Sequence, residues 1–127
     1  MLFESHKNFI KRFRNEYKKF GNIECPAFKN EKIYFNKHGF NHIIRKGKDV
    51  RSTHEQIRRI KLMSHSKFIL QGAKEISEYR TNTVDGHPAF FWSIVGVVDL
   101  IKIRVIIRQL GDKGIKHFYS IMDIPTQ

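Results

Sequence analysis

The chain has 127 residues, and its 24 lysines and arginines against 12 aspartates and glutamates give a formal net charge of +12. That length fits one domain with a core of its own, and 40% hydrophobic against 28% charged residues excludes a disordered polyelectrolyte. No apolar run approaches the ~20 residues of a membrane-spanning helix, and the single cysteine, Cys25, excludes an intramolecular disulfide.

Glu4 to about Phe20 places Phe9, Ile10, Phe13, Tyr17 and Phe20 at helical spacing, with Lys7, Lys11, Arg12, Arg14, Lys18 and Lys19 over the rest. This predicts a basic amphipathic helix whose aromatics pack on a sheet, with a membrane surface as the alternative. Gly21 ends it, and the residues through Glu31, including Cys25-Pro26, are expected to form a loop. Lys32 to Phe35 reads as a short strand. Asn36 to Gly47 predicts a short helix with Phe40, Ile43 and Ile44 packed inward. Asn41, His42, Arg45 and Lys46 then lie toward its polar side, with Gly47 as the stop.

Ser52 and Glu55 have capping-box spacing. They open a helix expected to bury Ile57, Ile60 and Met63 or Leu62, leaving Arg58, Arg59 and Lys61 outward. Ser66 is expected to cap a further turn through Leu70, ended by Gly72. From Ala73 the pattern becomes strand-like. Lys74 to Val84 alternates, Asp85-Gly-His-Pro88 reads as a turn, and Ala89 to Leu100 is apolar enough for a central buried strand anchored by Trp92.

Ile101 to Leu110 and Ile115 to Met122 flank Gly111-Asp-Lys-Gly114, a hairpin signal. A two-residue loop at Asp112-Lys113 sets Leu110 against Ile115, Arg108 against His117 and Ile106 against Tyr119. Alternation then gives a core face of Ile103, Val105, Ile107, Phe118 and Met122, and a second face of Arg104, Arg108, His117 and Tyr119. A one-residue slip would redistribute these faces.

The expected architecture is one α+β domain over residues 1–127. A basic helix and loop occupy 1–31, short helices 32–72, and an antiparallel sheet of about four strands 73–127, with the N-terminal helices packed on one sheet face.

The positive excess creates a field that favours polyanions: RNA first, DNA next, with an acidic inhibitor protein or an anionic membrane surface as alternatives. The first residues, Met1-Leu-Phe-Glu-Ser-His-Lys7, lack a signal peptide's apolar core, so the expected location is cytoplasmic, although an exported toxin would read the same way. Two cations, an imidazole and a phenol on one sheet face suit a phosphodiester; the competing view is a solvated basic face. RNA cleavage needs a base for the 2′-hydroxyl proton, an acid for the leaving 5′-oxygen, and cations where charge develops. His117 with His42, or His117 with Glu55 or Glu78, supplies the pair. Arg104, Arg108 and Arg45 form the clamp, and Tyr119 positions the phosphate or stacks on a base. Lys46, Arg51 and Arg58 are candidate backbone contacts, against the alternative of solvated helix charges. His38 and His42 are four apart, but no cysteine or carboxylate cluster completes a metal set, so no metal or cofactor is expected. No Gly-rich phosphate loop or Gly-x-Ser-x-Gly elbow is present.

Asn36-Lys-His-Gly-Phe-Asn-His42, Phe90-Phe-Trp92, Ile103-Arg-Val-Ile-Ile-Arg108 and His117-Phe-Tyr-Ser120 occur in an order that resembles the barnase, EndoU, colicin and RelE-like nuclease superfamily. The resemblance covers roughly residues 32–122. It implies helices on a four-stranded antiparallel sheet and, in most members, metal-independent RNase activity, often as a toxin with an inhibitor or immunity protein. By the same resemblance, His42, Arg104 or Arg108, and His117 or Ser120 take the catalytic roles. A barnase-like glutamate base is missing, since Ala89 to Leu100 offers only Asp99. The expectation is an endoribonuclease, with a non-catalytic nucleic-acid-binding module as the alternative.

Overall fold

A computed structural model describes residues 5–125. Helix α1 (His6–Lys18) starts at Ser5, whose hydroxyl accepts from the Asn8 amide, and it buries Phe13 and Tyr17. Glu4, where the helix was expected to begin, lies outside the described residues. Gly21 at φ 63° turns the chain into a strand where a loop was expected. β1 (Asn22–Cys25) buries Ile23 and Cys25 and pairs antiparallel with β2 (Glu31–Tyr34). Four residues are too few for alternation to stand out in a sequence, and the Pro26–Phe28 turn between the strands reads as loop.

The expected four-strand meander is present as β5 (Glu78–Val84), β6 (His87–Val98), β7 (Ile101–Leu110) and β8 (Lys116–Ile124). The sheet has six strands in the order β1-β2-β8-β7-β6-β5, because β2 adds parallel to the start of β8. β5 begins at Glu78, later than expected, and is exposed along nearly its whole length. His87 and Pro88 belong to β6 and not to the turn, which is Asp85-Gly86 alone. β6, expected at the centre, lies one strand in from the edge strand β5, and only its Ala89, Ser93 and Ile94 are buried; Asp99 and Leu100, both at positive φ, make the next turn.

Arg108 does face His117. The pairing then shifts: Ile107 faces Phe118, but Ile106 faces Ser120, so Tyr119 is the extra residue of a β-bulge. This corrects the expected Ile106–Tyr119 pair. It also moves Ile121 into the core in place of Met122, which lies opposite Arg104. The closing pair is Gln109–Lys116, so the loop is longer than two residues.

β2 meets β8 only at Ile33–Lys116 and Tyr34–His117. The chain then leaves the sheet as α2 (Lys37–Ile44), which packs along β8 together with α3 (Thr53–Met63). Backbone groups left unpaired by the missing strand need partners, and Arg59 Nη1 donates to the Ile121 carbonyl at 3.1 Å. Helix α2 stops at Ile44. Arg45 and Lys46, expected on the helix, instead form β3 of a two-stranded ribbon with β4 (Asp49–Val50) around Gly47.

In α3, Ser52 caps as expected, its hydroxyl accepting from the Glu55 amide at 3.1 Å. The fully buried residues are Gln56, Leu62 and Met63, with Ile60 partly buried and Ile57 no deeper. Gln56 Nε2 donates to the carbonyls of Ile44 and Arg51, and its Oε1 lies 2.6 Å from His6 Nε2, so one amide ties α1, α2 and α3 together. Helix α4 (Ser66–Gly72) lays Ile69 over Gly96 of β6. Ser66 is not its cap; the hydroxyl donates back to the Met63 carbonyl. The core joins Phe13, Tyr17, Phe35, Phe40 and Phe118 to Ile33, Ile94, Ile103, Val105, Ile107 and Ile121. The molecule is a mixed α+β fold with helices packed against one sheet.

Candidate active site

The site forms where α2 covers the open side of β8. Arg108 and His117, a cross-strand pair, are 9% and 2% exposed, and Arg108 Nε donates to His117 Nε2 at 3.0 Å. The bulge turns Tyr119 out of the strand's alternation. Its ring stacks on His42 at 4.2 Å between centroids and 26° between planes, and the Arg108 guanidinium lies 4.3 Å from its centroid. Tyr119 is thus engaged by both an imidazole and a guanidinium. Phe91, opposite Arg108 on β6, meets Tyr119 edge-on at 5.6 Å and lines a cleft of about 240 Å³ with Ser93, Ile106 and Tyr119.

Helix α2 delivers the imidazoles. Asn36 caps it, its side-chain oxygen accepting from the His38 amide, and His38 and His42 follow four apart on one helical face. The His38 ring centroid is 5.3 Å from that of His117. Gly39 lets the helix approach: a Cβ there would lie 2.5 Å from both Phe118 Cδ2 and the Phe118 carbonyl oxygen. Arg51, just after β4, reaches back to α2, with Nε donating to the His42 carbonyl at 2.9 Å and Nη2 3.2 Å from His42 Nε2.

These neighbours set the charges. Burial, then the cations of Arg51, Arg59, Arg108 and Lys46, pull His42 down to about 4. Burial, then Arg108 and His38, pull His117 down to about 4. His38 is lowered as well, by burial and then by Arg108 and Lys37. Burial also lowers Arg108 and Arg51 from the ordinary arginine value. At neutral pH the site therefore holds three neutral imidazoles among guanidinium groups. Since His117 Nε2 accepts from Arg108, the network places its ring proton on Nδ1, and its free lone pair is taken.

No carboxylate forms an ion pair with Arg108 or Arg51 among the described residues. A buried cation without a counter-charge is costly, and an arriving anion relieves that cost.

The structure thus brings together His42, His117, Arg108, Tyr119 and Arg51 from the residues singled out in the sequence. Arg104 shares their sheet face but lies four residues along β7, about 13 Å away. Its Nε is buried without a hydrogen-bond partner. Ser120 is buried and its hydroxyl accepts from Arg59 Nη1 at 3.0 Å. Arg45 is exposed on the ribbon and donates to the Lys48 carbonyl, while Lys46 beside it is close enough to depress His42. Arg58 is exposed and engaged by Glu55 at 3.0 Å and by Asp123.

The carboxylates considered as bases are also paired. Partial burial pushes Glu55 up, but the hydrogen bonds and charges of Arg59 and Arg58 outweigh it and hold the carboxyl below its usual range. Glu78, on β5, pairs with Arg80 at 3.3 Å. His38, Arg59 and Phe91 belong to the site and were not assigned to it from sequence. Their signals were present but weak: a His-x-x-x-His spacing, and strand parity that sets Phe91 against Arg108. Among the described residues, no group of three or more His, Cys, Asp or Glu side chains is placed to hold a metal ion. No helix among them is long and apolar enough to cross a membrane.

Comparisons with protein-family models, with curated proteins and with solved structures gave no match.

Proposed function

We propose that the protein is an endoribonuclease that cleaves by attack of the 2′-hydroxyl on the adjacent phosphorus, without a metal ion. One observation carries this: two guanidinium groups with no carboxylate ion pair among the described residues, Arg108 and Arg51, border a row of imidazoles, His38, His42 and His117, where α2 packs on β8. Arg108 and Arg51 hold the phosphate and stabilise the phosphorane. His38, the most exposed of the three imidazoles and one with no hydrogen bond on its ring among the described residues, takes the 2′-hydroxyl proton. When the phosphate draws Arg51 away, His42 Nε2 becomes free to carry a proton. The nearby anion raises its pKa, and His42 protonates the leaving 5′-oxygen. His117 is a positioning residue that aims Arg108. Tyr119, or Phe91 edge-on to it at 5.6 Å, offers an aromatic surface for a base.

A second reading has its own support: His42 and His117 are both bonded to arginine through Nε2 and both disfavour protonation. That state suits a module that binds RNA without cutting it. Incubation of the purified protein with RNA in EDTA separates the two. Fragments ending in 2′,3′-cyclic phosphate, abolished by His38→Ala with RNA binding retained, support the nuclease. Salt-sensitive binding with intact RNA supports the module.

A further inference from the structure

Helix α1, apart from the imidazole cluster, carries five lysines and arginines against one glutamate. On α1, Lys7, Lys11, Arg14 and Lys18 follow one another at intervals of four, three and four residues, which is one line along a helix. At 1.5 Å per residue that line runs about 16 Å. It borders a valley formed by two hollows, one of about 530 Å³ between α1 and α2 and one of about 710 Å³ between α1 and the segment from Ile44 at the end of α2 to Gln56 of α3, and Arg14 lines both. No aspartate or glutamate among the described residues lines either hollow. The acid of α1, Glu16, pairs with Arg12 at 3.8 Å, and no ion pair among the described residues engages the four cations of the line.

Helix α2 is the ridge between this valley and the candidate active site. Its Lys37 lines one hollow and precedes His38. Arg51 lines the other and contacts His42 across the ridge. We infer that the α1–α2 valley is a track for the sugar-phosphate backbone of single-stranded RNA, carrying the strand beyond the one phosphate held at Arg108. A row of cations with no acid matches a repeating phosphate. Lysine, which makes up three of the four, is depleted in protein–protein interfaces. The inference rests on RNA being the ligand of the Arg108 site, but not on its being cleaved.

The test uses a 2′-O-methyl RNA strand of about twenty nucleotides, which binds but offers no attacking hydroxyl, titrated over a range of salt concentrations. Replacing Lys7, Lys11, Arg14 and Lys18 by Gln should weaken binding at least tenfold at low salt. It should also lower the slope of log affinity against log salt by about 2 to 3, at roughly 0.7 per lost phosphate contact. Lys7→Gln with Lys11→Gln alone should give about half that change, and circular dichroism should show both variants folded. An unchanged slope in the fourfold variant overturns the track, and so does a variant that keeps RNA binding but loses binding to polyglutamate. Wild-type protein that binds with the expected slope yet leaves natural RNA intact defeats the nuclease proposal and leaves the track standing.

Discussion

Arg108 concentrates the chemistry of the site. Its guanidinium is buried, aimed by His117, stacked on Tyr119 and without a carboxylate. Lysine cannot reproduce a planar fork that donates to an imidazole and stacks on a phenol while holding the phosphate of the proposed reaction. Arg108→Lys should therefore lower RNA cleavage by about 10²-fold or more, read as initial rates in EDTA. Arg58→Ala should leave the rate within a few-fold, because that guanidinium is already held by Glu55 and Asp123. The histidines predict a pH effect. His42 and His117 stand at about 4 in the folded chain against an ordinary 6.5, so between those values the unfolded chain binds more protons. Stability is full above about pH 6.5 and falls as pH drops through about 4, by up to about 3 kcal/mol per imidazole. Urea melts of wild type and His117→Gln at about pH 7.5 and about pH 4.5 check this: the variant should lose less on acidification. Equal losses would show that His117 is not the group responsible. The Arg108–His117 pair was legible because a strong hairpin fixes it. Tyr119 was not, since a bulge has no sequence signature and changes which side chain meets which.

Among the elements, α2 decides whether there is a site. It is eight residues long, contains a glycine, and is held down by Asn36 at its start and Gln56 near its end. Glycine inside a short helix reads as weakness, yet Gly39 is where the helix touches Phe118 and Tyr17. A methyl group there would collide with backbone, which cannot swing aside. Gly39→Ala should cost about 1–3 kcal/mol in chemical denaturation and displace His38 and His42, lowering cleavage as well. Gly72→Ala, with nothing within 4 Å of a Cβ, is the matched control and should be near neutral. Equal stability of the two variants would remove the close α2–β8 approach as an essential feature. The meander and the amphipathic first helix were readable because their periodicities run over many residues. β1, β2 and the β3–β4 ribbon were not, since strands of two to four residues gain their stability from partners distant in the chain.

The whole molecule is a basic body with the site at the junction of helices and sheet. Its helices-then-sheet order was evident in the sequence. The wrapping of β1 and β2 onto β8, which creates the open edge for α2, depends on contacts about eighty residues apart, such as Tyr34 with His117. The proposed track reads phosphates before sugars, so single-stranded DNA of equal length should compete for RNA binding within about tenfold in fluorescence anisotropy. Competition weaker than that would show that ribose contacts dominate. The proposed cleavage, by contrast, depends on the 2′-hydroxyl. The most direct measurement uses a DNA strand bearing a single ribonucleotide, incubated with the protein in EDTA and resolved by mass. Cutting only on the 3′ side of the ribonucleotide, leaving a 2′,3′-cyclic phosphate and lost in Arg108→Lys, is the predicted result. Cutting throughout the DNA, or no cutting by protein that binds the strand, would contradict the assignment of Arg108, His38 and His42 to RNA cleavage.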